Sequence, residues 1–408
     1  MRYEKVKKLL EERNQTQPLK YYDELTEQQK ENLLTAIEEM DWSFETALKE
    51  NGAKQPTGKI SPIEGLRVEK IKQNEDEYRK IGVKTIQEGK VAAVLLAGGM
   101  GTRLGWDGPK GSYNIGITKP LYIFEQQVKN LLEVVKECGV YPLLYIMTSD
   151  KNHEATVSFW EKNSYFGYDG NKIRFFKQDM APATDFDGKI YLERKDMPAL
   201  SPNGNGGWFS SLKRAGLYDE LKKAGVEWIN LYAVDNVLQR IADPVFVGAT
   251  VASGKNCGAK VVCKTCPEEK VGVLCLEDGN PTIIEYYELG EEMANMREAD
   301  GTLSYVYGVI LNYLFKIEKL EDTENAKIPV HIVQKKIPYL NKDGETVKPT
   351  AENGKKYETL VVDLIKLMGS VLPFEVEREK EFAPIKNATG VDSVESAREL
   401  LKKNGVEL

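Results

Sequence analysis

The stretch VAAVLLAGGMGTRLGWDGPKGSYNIG, Val91 to Gly116, joins an apolar run to a glycine-rich segment that carries two cations. Val91 to Ala97 is long enough for a strand buried on both faces, the pattern of parallel sheets. Gly98, Gly99 and Gly101 follow at once. Without Cβ atoms there, backbone N–H groups can close around the oxygens of an anion. Arg103 and Lys110 add positive charge to the same segment. Beyond Gly111 and Gly116, apolar residues Leu121, Phe124, Val128, Leu131, Leu132 and Val135 recur at helical spacing, so a helix is predicted over Leu121–Cys138. The stretch therefore reads as a parallel-sheet strand feeding a ligand loop that opens into a helix.

Two common phosphate loops do not fit. A Walker loop needs Gly-Lys followed by Ser or Thr, whereas Lys110 precedes Gly111. A dinucleotide fingerprint needs a glycine where Leu104 stands and an acidic residue about 20 positions on at a strand's end, where Glu125 lies inside the predicted helix. The pattern L-A-G-G-x-G-T-R-L-G, followed by P-K-G, resembles instead the nucleotide loop of sugar-nucleotide pyrophosphorylases, most closely the UDP-N-acetylhexosamine pyrophosphorylases. The resemblance implies that Leu96, Ala97, Gly98, Gly99 and Gly101 line a nucleotide. It also implies that Arg103 helps to wrap the triphosphate and that Lys110 faces its α-phosphate.

Composition narrows the function classes. The 408 residues, 41% hydrophobic and 29% charged, suit a water-soluble chain of two or three domains. No apolar run approaches the roughly 20 residues that cross a bilayer. The start, MRYEKVKKLLEERN, intersperses charges so closely that its longest run of aliphatic residues is Leu9-Leu10, unlike a secretory signal, so a cytoplasmic protein is expected. A net charge of −7 argues against a general nucleic-acid binder, and no obligate protein partner is indicated. Of five cysteines, Cys257, Cys263, Cys266 and Cys275 cluster and raise the question of zinc. Their strand-like surroundings, AKVVCKT and VGVLCLE, and the single C-x-x-C pair favour buried reduced thiols.

Residues 1–88 read as a helical arm. Tyr3, Val6, Leu9 and Leu10 share one face, and Thr26 with Gln29 forms a capping box before Leu33, Leu34, Ile37 and Met40. Asn51 to Pro62 is expected to be a loop, leading to a further helix stopped by Gly89. Beyond it, strands are predicted at Leu143–Met147, Ile173–Phe176 and Trp228–Val234, with an Asp-Gly hairpin turn within DFDGKIYLE. Ligands of doubly wound sheets lie outside the carboxyl ends of strands. Gln178, the loop Pro202–Gly207 and Asp235 fall at such places.

Asp235 has two readings. A carboxylate facing a triphosphate suits Mg2+, and an acidic residue two before Val237 suits a helix N-cap. The resemblance of LYAVDNVL to the same family favours the metal, Mg2+ or Mn2+. The resemblance further implies that Gln178 and Gly204 read uracil, and that Ala233 and Lys356 contact the nucleotide. Lys356 is expected to open a helix running to Met368. Asn205, Asp235, Glu285, Tyr286 and the position of Val309 would meet the sugar, and Lys386 would grip its phosphate. By composition alone, Lys356 and Lys386 read as solvated surface charges.

Two departures bear on substrate. The family's sugar-contacting Asn after the Gly of G-N-I-x-N is replaced by Val309, after Gly308. The aromatics of the acetamido pocket are replaced by Leu360 and Val362, so selection for N-acetyl sugars is expected to be weak. Eukaryotic members also continue into a sizeable C-terminal domain, whereas this chain stops after one short helix.

The resemblance implies an α/β, Rossmann-like nucleotidyltransferase core with a mixed, mostly parallel sheet. The expected division is a helical region over 1–88, a catalytic domain over 89–388 and a short helical tail over 389–408. The expected activity joins UTP and a sugar 1-phosphate, foremost N-acetylglucosamine 1-phosphate, into UDP-sugar and pyrophosphate. Rivals are a glucose-1-phosphate or broad-specificity enzyme, a catalytically silent sugar-nucleotide sensor, and a nicotinamide oxidoreductase, which the missing third glycine and ribose acid disfavour.

Overall fold

A computed structural model describes residues 1–50, 52, 58–323 and 328–408. Of the loop expected over Asn51–Pro62, Asn51 and residues 53–57 lie outside the described residues, and Ile60–Ser61 forms a short strand. The chain divides into two compact units. The larger comprises Pro56–Lys177, Phe209–Lys327 and Val362–Leu408, and the smaller Met1–Gln55, Gln178–Trp208 and Ile328–Val361. A boundary at residue 88 is not where the chain divides: the helix Glu75–Gln87 packs on the helix Pro244–Ser253 of the larger unit. Glycines make that approach possible, since a Cβ on Gly82 would lie 1.8 Å from the Pro244 carbonyl oxygen.

In the larger unit, ten strands form one mixed sheet among the described residues. The predicted first strand is present as β1, Val91–Leu96, buried throughout. It is followed by β2 (Leu143–Thr148), β3 (Ile173–Lys177) and β4 (Trp228–Ala233). These four are parallel in the order β3-β2-β1-β4. The chain thus moves outward from β1 to β3 and returns to the other side of β1, which opens a crevice at the carboxyl ends of β1 and β4.

Antiparallel strands extend the sheet: β5 (Cys257–Cys263), β6 (Val273–Glu277), β7 (Asn280–Ile284) and β8 (Tyr307–Lys316), with β9 (Val371–Glu375) parallel to β5. The predicted helix is present as Ile123–Cys138, ended by Gly139 in the left-handed conformation. Cys257 and Cys275 are buried in strands, Cys263 is half-buried and Cys266 is exposed. Burial pushes the Cys275 thiol up to about 12, as burial and Glu375 do for Cys263, so these thiols stay protonated. Among the described residues, no helix is long and apolar enough to cross a membrane.

The smaller unit is assembled from three stretches. Its helices Arg2–Glu12, Glu27–Glu39 and Phe44–Glu50 bury Leu10, Leu33, Ile37 and Phe44. The Thr26–Gln29 capping box is formed. These side chains share a core with Ala181 and Ile190 of the second stretch and Val330 and Tyr357 of the third. One correction falls here. Lys356 does not open a helix; it lies mid-strand in Gly354–Thr359, paired antiparallel with Val330–Lys335, and the helix begins at Val361. Burial of Tyr357 and Thr359 on alternate positions overrides any helical continuation.

Candidate active site

The glycine loop leaves β1 with its carbonyls turned into the protein. Asn152 Nδ2 donates to the Ala97 oxygen at 2.9 Å and to the Gly99 oxygen at 3.2 Å, and Ser149 Oγ donates to the Gly98 oxygen at 2.8 Å. The Lys110 N–H also donates to the Gly99 oxygen, at 3.1 Å. Among the described residues, the N–H groups of Gly98, Gly99 and Met100 donate to nothing. Oriented N–H groups without partners are the chemistry of an anion cradle. Trp106 keeps the hairpin closed: a Cβ on Gly101 would meet its ring at 2.7 Å and one on Gly108 at 2.6 Å.

Because β1 and β4 are parallel neighbours, with Leu96 opposite Ala233, the loop and Asp235 emerge side by side. Lys110 Nζ lies 3.9 Å from Asp235 Oδ2. Burial lowers the Lys110 ammonium below the ordinary lysine range; Asp235 pulls it back up, and the charges of Lys386 and Arg103 lower it further. Four of the residues expected to act on phosphates or metal therefore share one place. The N-cap reading of Asp235 fails, because residues 235–240 contain no helix and the next one, Pro244–Ser253, is capped by Asp243.

The Asp235 turn is held by buried amides. Gln239 Nε2 donates to the Ala233 oxygen at 2.6 Å and Gln127 Nε2 to the same oxygen at 2.9 Å. This carbonyl is thus engaged within the protein. The Asp235 oxygen accepts from the Ile385 N–H at 2.9 Å, which brings the strip carrying Lys386 alongside. Asn236 fastens the same strip, accepting from the Ala383 N–H at 2.9 Å and donating to the Glu381 oxygen at 2.7 Å. Beneath it, Lys260 is wholly buried between Glu381 and Asp243.

A second group lies on the antiparallel part of the larger unit. Val309 N–H donates to the Gly272 oxygen at 2.9 Å. A Cβ built on Gly272 would meet Val309 Cγ2 at 3.4 Å and Glu285 Oε1 at 3.5 Å, so these two candidate sugar contacts adjoin. Tyr286, beside them in sequence, is 41% exposed and makes a T-shaped contact with Tyr287.

The base and sugar candidates of the smaller unit gather about one loop. Gly204 has φ +90°, and a Cβ there would sit 2.2 Å from the Thr359 oxygen, so only glycine fits. The Thr359 N–H donates to the Asn203 oxygen at 2.7 Å, and Asn205 Oδ1 accepts from the Val361 N–H at 2.9 Å. One end of Asn205 is therefore committed to the fold. Gln178 is 8% exposed, and among the described residues its side-chain amide has no hydrogen-bond partner. Its paired donor and acceptor suit the edge of a pyrimidine.

A model of the family described as UTP–glucose-1-phosphate uridylyltransferase matches residues 39–407. The chain belongs to that family. It is 38% identical to a human UDP-N-acetylhexosamine pyrophosphorylase-like protein 1, over 84% of this chain and 71% of the relative. It is 34% identical to the UDP-N-acetylglucosamine pyrophosphorylase of Saccharomyces cerevisiae, over 96% of this chain and 88% of that protein. Among solved structures, the Trypanosoma brucei uridine diphosphate N-acetylglucosamine pyrophosphorylase in complex with inhibitor superposes with a TM-score of 0.82 at 26% identity, over 98% of this chain and 84% of that one.

In this uridylyltransferase, sequence reasoning missed the supports of the site. Asn152, Gln127, Gln239 and Asp392, the last paired with Lys386 at 2.9 Å, hold residues that it did single out, and Lys260 holds Glu381 on the strip that runs on to Lys386. A signal existed for Lys260, which stands in the apolar run CGAKVVC and could be buried only with a partner. Nothing in the sequence points to the partners themselves, far along the chain.

Proposed function

We propose that this chain condenses UTP with N-acetylglucosamine 1-phosphate to give UDP-N-acetylglucosamine and pyrophosphate, reversibly. The observation that carries the reading is the convergence of Arg103, Lys110, Asp235 and Lys386 beside an anion cradle. An oxygen of the sugar phosphate attacks the α-phosphorus of UTP in line; the new P–O bond forms as the bond to the β-phosphate oxygen breaks, and pyrophosphate leaves. No covalent enzyme intermediate is needed, so alignment and charge neutralisation carry the catalysis.

Each residue then has a task. The N–H groups of Gly98 to Met100, with Arg103, receive the triphosphate, and Lys110 meets the charge that develops at the α-phosphate. Lys386 aligns the incoming sugar phosphate. Gln178 and Gly204 read uracil, and Asn205, Glu285 and Tyr286 hold the sugar. Asp235 would hold Mg2+. Its carboxylate makes no hydrogen bond among the described residues, and no cluster there of three or more His, Cys, Asp or Glu side chains could bind a metal without substrate. One carboxylate completed by phosphate oxygens is the donor set that Mg2+ takes, and the bound cation neutralises phosphate charge. A cytoplasmic setting is part of the proposal, supported by five cysteines without a disulfide.

A second reading, acceptance of plain hexose 1-phosphates, rests on Val309, which offers no hydrogen bond beside Glu285. The test of both is to incubate the protein with UTP, Mg2+ and a panel of sugar 1-phosphates and to follow pyrophosphate. Release with N-acetylglucosamine 1-phosphate is expected. Binding of UTP without release from any sugar would overturn the enzyme reading in favour of a sensor.

A further inference from the structure

Lys386 is held by a residue six positions on. Its Nζ lies 2.9 Å from Asp392 Oδ2, and its N–H donates to the Asp392 oxygen at 2.7 Å. The Asn387 N–H donates to the same oxygen at 3.1 Å. The Lys386 and Asp392 side chains are 41% and 30% exposed, so water and ligand can reach the pair.

The charges around it explain why such a partner is useful. The charges of Lys386 and Arg103 act on Lys110, and among the described residues the carboxylate paired with Lys110 is Asp235. Without a partner, the Lys386 ammonium would be repelled by the Lys110 charge. The Asp392 carboxylate holds the ammonium in place. It also occupies the ammonium that a phosphate dianion would take.

We propose that Asp392 is an exchangeable counter-ion: it holds Lys386 in the substrate-free protein and releases it to the phosphate of the incoming sugar 1-phosphate. This rests on the reading of Lys386 as the lysine of that phosphate. Asp392 is then a positioning residue that tunes affinity for one substrate. It strengthens pre-alignment and weakens binding, because the ion pair must open before the new one forms.

Asp392→Asn tests this with little disturbance. Asp392 has φ +53°, a left-handed conformation that Asn tolerates, and the backbone oxygen serving both N–H groups is kept. The expected result is a KM for N-acetylglucosamine 1-phosphate about two- to fivefold lower, the scale of an exposed ion pair, with the KM for UTP unchanged. The effect should vanish when Lys386→Met is combined with it. A sugar phosphate KM that is unchanged or raised in Asp392→Asn overturns the counter-ion role, as does an equal change in both KM values. The reading of Lys386 is judged separately: Lys386→Met alone should raise the sugar phosphate KM, and no effect of that variant would sink the reading on which the proposal rests.

Discussion

The Lys260 ammonium lies 2.5 Å from Glu381 Oε2, a contact between β5 and the strip that runs on to Lys386. The same ammonium is 3.1 Å from Asp243 Oδ2 and donates to the Arg240 oxygen at 3.2 Å. Burial alone would raise the Asp243 carboxyl, but the Lys260 and Arg240 charges hold it below the usual carboxylate range. Lys260→Met would leave the buried Glu381 and Asp243 carboxylates with the Arg240 guanidinium alone, 3.6 Å from Asp243 Oδ1. Removing one partner of a buried pair costs about 3–5 kcal/mol, so urea unfolding should show a loss of that size. A midpoint within error of the parent would show that the cluster contributes no stability.

Lys110→Ala should lower kcat about 100-fold or more while weakening UTP binding far less, because its charge serves the transition state. Steady-state kinetics with varied UTP separates the two. A near-normal kcat would remove Lys110 from the chemistry.

The pH profile provides an independent check. Lys110 must be protonated to act, and burial with its cationic neighbours lowers its pKa. Activity is therefore full at neutral pH and is lost on the alkaline side, earlier than for an ordinary lysine. The profile of kcat/KM for UTP reports the free enzyme. Lys386→Met removes one lowering charge, so its alkaline limb should move to higher pH. A limb that stays put, or moves down, contradicts the coupling.

Asp235→Asn should abolish most Mg2+-dependent turnover and leave the melting temperature near that of the parent. The side chain caps no helix, and its ion contact among the described residues is Lys110 at 3.9 Å. Since an amide binds a hard cation poorly, metal titration followed by rate measurement should show the loss. Unfolding of this variant would instead reveal a structural role.

Val309→Asn should raise the preference for N-acetylglucosamine over glucose 1-phosphate by about tenfold, the scale of one hydrogen bond. The measurement is the ratio of kcat/KM for the two sugars in parent and variant. A parent ratio already above about a thousand would refute weak selection, because that scale requires a buried polar contact.

What the sequence made legible was local. Val91–Ala97, the glycines after it and the helix ended by Gly139 are coded by neighbouring residues, and they are present with shifts of one or two positions. Asp235 was legible as a residue but not as a choice between metal and cap, since only the folded turn shows that no helix follows. Lys356 was misplaced because its strand is specified by pairing with residues Val330–Lys335, not by its own spacing. Lys260 and Glu381 are 121 positions apart, a separation over which no periodicity carries information.

The three-stretch make-up of the smaller unit has a bearing on synthesis. Phe44 of the first stretch packs against Tyr357 of the third with ring centroids 5.2 Å apart. A chain leaving the ribosome therefore displays Leu33, Ile37 and Phe44 long before Tyr357 exists to cover them, while β1 to β4 can already assemble. Contacts of such long range form late and leave apolar surface open to wrong partners in the meantime. The helices of the first stretch are thus made well before the third stretch that completes their core, and they stay open to wrong partners until it emerges.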